Sequence, residues 1–202
     1  MTKKYFDNKL SDKDFYLNIL KNEPRDYEAN LKIGLIYVQE NNFLDAKKQF
    51  ELLITINKLR YEAHLNLSNI YFMENNELKS NNILKNYLTN ISENLEIINA
   101  LSINLLNTKK YDQLDNHINK YLYKYSSHIL FYIKGYLLIK QNKISESEKY
   151  LKSSIEINPN FWQTYEILLK QYEKQSRLEE LSNLINKAKH FFEDTIYFSY
   201  FY

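Results

Sequence analysis

Ile33-Gly34-Leu35-Ile36-Tyr37 and Lys134-Gly135-Tyr136-Leu137-Leu138 hold the only two glycines of the chain, and Gly135 follows Gly34 by three periods of 34 residues less one. Two rare residues in matching apolar words at that spacing mark a repeat. Self-similarity at about 20 to 50 residues is the sign of stacked supersecondary units, none of which buries its apolar face alone. The period points to helix-turn-helix units, and composition agrees. Glycine and proline number two each in 202 residues, which disfavours a turn-rich sandwich or barrel.

Composition also narrows function. The chain has no cysteine, which excludes disulfides, thiolate zinc sites and a cysteine nucleophile, and makes the cytoplasm the expected location. The 27 basic and 25 acidic residues alternate to a net charge of +2, too weak a field to steer nucleic acid. Lys109, Lys110, Lys120 and Lys124 interleave with Tyr111, Tyr121, Tyr123 and Tyr125, but Asp112 and Asp115 dilute the run and it lacks arginine. The start, Met1 to Asp7, has no signal-peptide apolar stretch, and no apolar run reaches membrane-spanning length. No nucleic-acid or membrane partner is expected.

Placing Gly34 at the eighth position sets five repeats, 27–60, 61–94, 95–127, 128–161 and 162–195, preceded by 1–26 as an N-terminal helix or half repeat. Positions seven and eight then read Ile33-Gly34, Leu67-Ser68, Leu101-Ser102, Lys134-Gly135 and Leu168-Leu169. The eleventh reads Tyr37, Tyr71, Leu105, Leu138 and Tyr172, and the twenty-fourth Phe50, Leu84, Ile118, Leu151 and Ile185. Leu31, Ile33, Gly34, Ile36 and Tyr37 form one helical stripe, and Phe43, Ala46, Phe50, Leu53 and Ile54 another. Between paired stripes stand Asn41-Asn42, Asn75-Asn76 and Asn142-Lys143, where asparagine ends a helix in the left-handed region. Pro24 and Pro159 fall in the turns between repeats.

This pattern resembles the tetratricopeptide repeat family, most clearly in Phe131-Tyr132-Ile133-Lys134-Gly135, Ser147, Tyr150-Leu151, Ser154 and Ile157-Asn158-Pro159-Asn160. The resemblance covers roughly residues 12 to 202, with Asp12 to Asn22 read as the second helix of a repeat. It implies an all-α, right-handed superhelical solenoid of antiparallel helix pairs with a concave binding face. The family prefers alanine at the twentieth position; Ala46, Ser80 and Ser147 comply, whereas Leu114 and Leu181 predict looser packing in the third and fifth repeats.

Nothing in the chain assembles a reaction centre. His64, His117, His128 and His190 occupy four different repeat positions. Glu146 with Glu148, and Glu179 with Glu180, point to different helix faces. No glycine-rich loop follows a strand to cradle phosphate. No catalytic, cofactor-binding or metal-ligating residue is assigned, and the chain reads as a protein-protein interaction scaffold rather than an enzyme.

The resemblance places the partner groove on the first helix of each repeat, at Leu31, Leu35, Val38, Leu65, Asn66, Asn69, Phe72, Asn99, Ile103, Tyr132, Tyr136 and Ile139. A carboxylate-gripping clamp is absent, because Leu31, Leu65, Glu96 and Ala100 stand where basic side chains are needed. An asparagine ladder at the sixth position fails too, since Asn66 alone supplies it. What remains is an apolar groove with amides and tyrosines, suited to a protein or peptide segment; self-packing of the aromatic stripe is the competing reading. Residues 196–202, Ile-Tyr-Phe-Ser-Tyr-Phe-Tyr, read as the start of a sixth repeat or a C-terminal cap. That abrupt apolar end suggests either a tail that seals the fifth repeat or an N-terminal portion of a larger bacterial enzyme, as in related arrays fused to sulfotransferases or glycosyltransferases. Unpaired terminal faces offer a route to self-association.

Overall fold

The structure is a computed structural model that describes residues 12–192; the readings made for residues 1–11 and 193–202, including the aromatic end, lie outside the described residues. The described residues form eleven α-helices and no strand. In order these are α1 (Asp12–Asn22), α2 (Tyr27–Gln39), α3 (Phe43–Ile56), α4 (Tyr61–Met73), α5 (Glu77–Asn90) and α6 (Leu95–Asn107). There follow α7 (Tyr111–Tyr121), α8 (His128–Lys140), α9 (Ile144–Ile157), α10 (Trp162–Lys174) and α11 (Leu178–Phe191). The chain divides into two compact units, Met1–Asn104 and Leu105–Tyr202, and α6 crosses the boundary. Within each unit, helices pack against their neighbours in sequence.

Helix pairing rests on small residues facing one another. A Cβ added at Gly34 would lie 2.7 Å from Cε1 of the fully buried Phe50, so only hydrogen lets α2 approach α3. A Cβ at Gly135 would lie 2.6 Å from Leu151 Cγ, which closes α8 onto α9 in the same manner. In the α4–α5 pair the close contact is polar. Ser68 Oγ and Ser80 Oγ share a buried hydrogen bond at 2.8 Å, and Asn104 Nδ2 of α6 donates to Ser80 Oγ at 2.9 Å. Satisfying those hydroxyls against each other removes the penalty of burying them. Leu114, at the corresponding place in α7, is fully buried, while Leu181 in α11 stays half-buried.

The turns are equally repetitive. Past the ends of α2, α4, α6, α8 and α10 one residue enters the left-handed region: Asn41 (φ 56°), Asn75 (60°), Lys109 (55°), Asn142 (61°) and Ser176 (55°). The next amide then donates back to the eleventh-position carbonyl, as Asn42 to Tyr37, Asn76 to Tyr71, Lys110 to Leu105, Lys143 to Leu138 and Arg177 to Tyr172, at 2.8–2.9 Å. This is the bond pattern that satisfies carbonyls orphaned at a helix end. Asn42 and Asn76 also start the following helix, their side chains accepting from the amides of Asp45 and Lys79. An Asn-Asn pair therefore closes one helix and opens the next.

Longer ties hold successive hairpins. Tyr87 Oη in α5 donates to Leu59 O in the α3–α4 turn at 2.6 Å, and Ser154 Oγ in α9 donates to His128 O at 2.8 Å. Lys13 of α1 pairs with Glu40 and lies over the Tyr37 ring, while Lys47 of α3 pairs with Glu74 and lies over Tyr71. Both Lys-Tyr-Glu triads recur at the 34-residue period.

Gly135→Ala is expected to destabilise by about 1–2 kcal/mol, overpacking outweighing the helix-propensity gain of up to ~1 kcal/mol. Urea denaturation should show Leu151→Ala costing less in that background than in the natural chain; additive losses would refute the close-packing account. Ser176→Gly, by contrast, should raise stability by about 0.5 kcal/mol, since glycine enters the left-handed region without penalty.

Candidate functional site

In the N-terminal unit, the first helices expose a strip formed by Leu31, Leu35 and Val38 on α2, Leu65, Asn66, Asn69 and Phe72 on α4, and Asn99 and Ile103 on α6. None of these nine is buried, and Asn69 and Ile103 (39 % exposed) stand furthest out. Leu31, Leu35 and Val38 rest one side on a core of Ala46, Phe50, Leu53, Ala63, Leu67 and Ile70, leaving the other side accessible. The helical period explains this, because residues three and four apart share a face. Asn66 spends one donor on its own helix, to Glu62 O at 2.8 Å.

The C-terminal unit offers a more aromatic face. Tyr132 and Ile139 of α8 lean on the core of Leu151, Ile155, Tyr165, Leu168, Leu169, Tyr172 and Ala188. The Tyr132 ring meets Phe161 edge to face at 5.2 Å, and burial raises the Tyr132 phenol above its usual pKa. Tyr136 has the Tyr111 ring at 6.5 Å and Lys140 Nζ at 5.4 Å from its centroid. The sequence reading did not assign Phe161 or Tyr111 to the groove, Tyr111 entering that reading only in the lysine-tyrosine run. One follows the Asn-Pro-Asn turn and the other sits in a charged segment, so neither falls at a first-helix groove position.

The titratable groups do not converge into a reaction centre. His64 is buried against Tyr87 with Nδ1 on Arg60 O at 3.2 Å, and burial lowers its pKa. Burial likewise lowers His128, whose ring lies on Phe161. Among the described residues no cluster of three or more His, Cys, Asp or Glu side chains is placed to hold a metal ion. Nor is any helix of the described residues long and apolar enough to cross a membrane.

The most perturbed carboxyl is Glu148 of α9, held down at about 2 by the Arg177 guanidinium, against burial and with help from Lys152 and Tyr172. Arg177 Nη1 donates to Oε2 at 2.6 Å and Tyr172 Oη to Oε1 at 2.8 Å. A general acid needs a raised pKa and a free proton site. This carboxylate has neither, and acts as a brace between α9 and the start of α11.

Residues 27–58 and 129–161 match the family model of the tetratricopeptide repeat. Among solved structures, the pilF protein of Pseudomonas aeruginosa superposes with a TM-score of 0.68 at 18 % identity, over 83 % of this chain and 78 % of that one. Cut9 with Hcn1, from the APC/C hetero-tetramer, gives 0.69 at 12 % identity, over 88 % of this chain and 35 % of the other. YrrB, described as a TPR protein with an unusual peptide-binding site, gives 0.60 at 11 % identity, over 91 % and 95 %. No curated protein matches the sequence. At these identities the structural likeness is one of fold: the chain is built as a helical repeat protein, in which two stretches match the tetratricopeptide repeat model.

The depressed Glu148 carboxyl contributes stability that is fully present above its unfolded value near 4.5 and is lost as pH falls toward about 2. Glu148→Gln should therefore cost on the order of 2 kcal/mol at pH 7, discounted for the partial exposure of Arg177. The gap between the two melting curves should close between pH 4.5 and 2, and a gap unchanged over that range would contradict the brace.

Proposed function

We propose that the chain is a protein-interaction module that holds a peptide or protein segment against the exposed faces of its first helices. The observation that carries this reading is that nine apolar or aromatic side chains on those faces are not fully buried, Ile103 being exposed and Leu31, Leu35, Val38, Leu65, Phe72, Tyr132, Tyr136 and Ile139 half-buried. Their own helices meanwhile bury Ala29, Ile33, Leu67, Ile70, Leu130 and Leu137 on the other side. Each face is thus apolar and accessible, which water disfavours unless a partner covers it. Asn69 and Asn99 stand among these side chains and offer amides to a partner backbone. Phe72, Tyr132 and Tyr136 are the large rigid anchors that dominate such contacts.

The peptide-binding description of YrrB, a protein of the same fold, supports this reading. Binding rather than reaction suits the charged groups described above: Glu148 is held by Arg177 and Lys152, and burial lowers the pKa of His64 and His128. A cysteine-free chain of this kind fits the reducing cytoplasm.

Selection of a random dodecapeptide phage library on the intact chain tests the reading. Synthetic versions of the enriched peptides should lose at least tenfold in affinity, about 1.4 kcal/mol, on Phe72→Ala or Tyr136→Ala. Leu44→Ala, at a 64 % exposed position on α3, should leave binding unchanged. Peptides indifferent to both aromatic truncations would sink the proposal.

A further inference from the structure

The first helices of the N-terminal unit begin alike. Tyr27-Glu28 opens α2, Tyr61-Glu62 opens α4 at the 34-residue period, and Glu96 takes the same place in α6 one period later. Helix starts do not demand this, since the first turns of α8 and α10 carry no acid. Helical spacing puts these glutamates at the end of the half-buried strip: Glu62 stands one turn before Leu65 and Asn66, and Glu96 one turn before Asn99.

At the first junction of repeats the two acids hold a guanidinium. Arg60, the residue before α4, donates from Nη1 to Glu28 and from Nη2 to Glu62 Oε1 at 2.6 Å, and its Cζ lies 4.0 Å from the centroid of the Tyr27 ring. The cradle is a tyrosine and a glutamate from one first helix and a glutamate from the next. One repeat later the same three positions are Tyr61, Glu62 and Glu96, while Asn94 stands where Arg60 stood. Asn94 turns to its own helix, its Oδ1 accepting from the Ile97 amide at 3.1 Å. Glu96 is exposed, with no ion-pair or hydrogen-bond partner among the described residues, and no cation lies over Tyr61 there. Glu62 gives Oε1 to Arg60 and keeps its second oxygen. The second cradle repeats the first without its arginine.

We propose that an arginine of the partner segment fills this second cradle, so that the N-terminal face selects segments carrying an arginine beside apolar side chains. The inference rests on the first helices being the binding face. Arg60 shows the chemistry that suits these positions: a planar cation with donors on two edges and a face to lay on a ring, which the point charge of lysine meets only in part. Beyond the cradle the strip offers Leu65, Phe72 and Ile103. Phe72 follows Glu62 at a distance of about 15 Å along α4, which an extended segment covers in about five residues. That length sets the spacing between the arginine and its apolar anchor. An acidic segment would face Glu62 and Glu96 and be repelled.

Dodecapeptides selected on the intact chain test the assignment. Those that depend on Phe72 should share an arginine within about five positions of a large apolar residue. Replacing that arginine by lysine should weaken binding about threefold, and by alanine about tenfold. Glu96→Gln, at an exposed position, should cost the arginine peptide about tenfold and its alanine version nothing. Asn94→Arg should fill the cradle from within the chain, as Arg60 does one repeat earlier, and remove the preference for arginine while the variant stays helical. Two results would overturn the cradle and leave the binding face standing: Phe72-dependent peptides without a shared arginine, or arginine peptides indifferent to Glu96→Gln. Peptides insensitive to Phe72→Ala and Tyr136→Ala alike would overturn both.

Discussion

The structure depends on how closely two helices of a hairpin approach. Gly34 under Phe50 and Gly135 under Leu151 leave no room for even one added carbon, and Ser68 against Ser80 reaches the same intimacy through a hydrogen bond. The stack follows from this contact. A hairpin closed at one point presents a fixed pair of apolar edges, and the next hairpin has to meet those edges to bury them. Phe50, Leu84 and Leu151 are fully buried at the same repeat position because the small residue opposite each leaves a socket of matching size.

The turns give the hairpin its second constraint, and they show how far the sequence can be read. The Asn-Asn pairs announced the end of a helix, since asparagine tolerates the left-handed region; that the second asparagine also caps the helix that follows is a finding of the structure. Lys109 and Ser176 adopt the same backbone with no such signal. There the geometry is imposed by neighbouring helices and the back-bonds to Leu105 and Tyr172, and local preference is overruled. The candidate face was legible as a set of positions only through the family resemblance, which places the groove on the first helix of each repeat. Its aromatic borders, Phe161 and Tyr111, were not, because they reach the face from a turn and from the neighbouring second helix.

Charge adds direction to this geometry. The N-terminal unit joins its hairpins with lysine on the second helix and glutamate after the next first helix, as in Lys13 with Glu40 and Lys47 with Glu74. The C-terminal unit reverses the signs, with Asp115 receiving Lys134 and Glu148 receiving Arg177. Apart from the braced Glu148, each of these partly exposed pairs is worth at most about 1 kcal/mol, too little to hold a hairpin in place. Their contribution is to register. A hairpin of one sign pattern stacked in the place of the other would bring like charges together, a penalty that hydrophobic contact alone cannot impose on such similar repeats.

The fifth repeat departs from that scheme in its packing. Gly34, Ser68 and Gly135 let the second helix of their hairpins approach closely. Leu169 and Leu181 end this pattern, and the space they create is lined by both signs of charge and an apolar centre rather than by polar side chains alone. Ile155 and Tyr172 at its floor are buried by the chain's own helices, so water in the cleft meets chiefly Lys152, Glu156, Asn183 and Lys187, and leaving it open costs little.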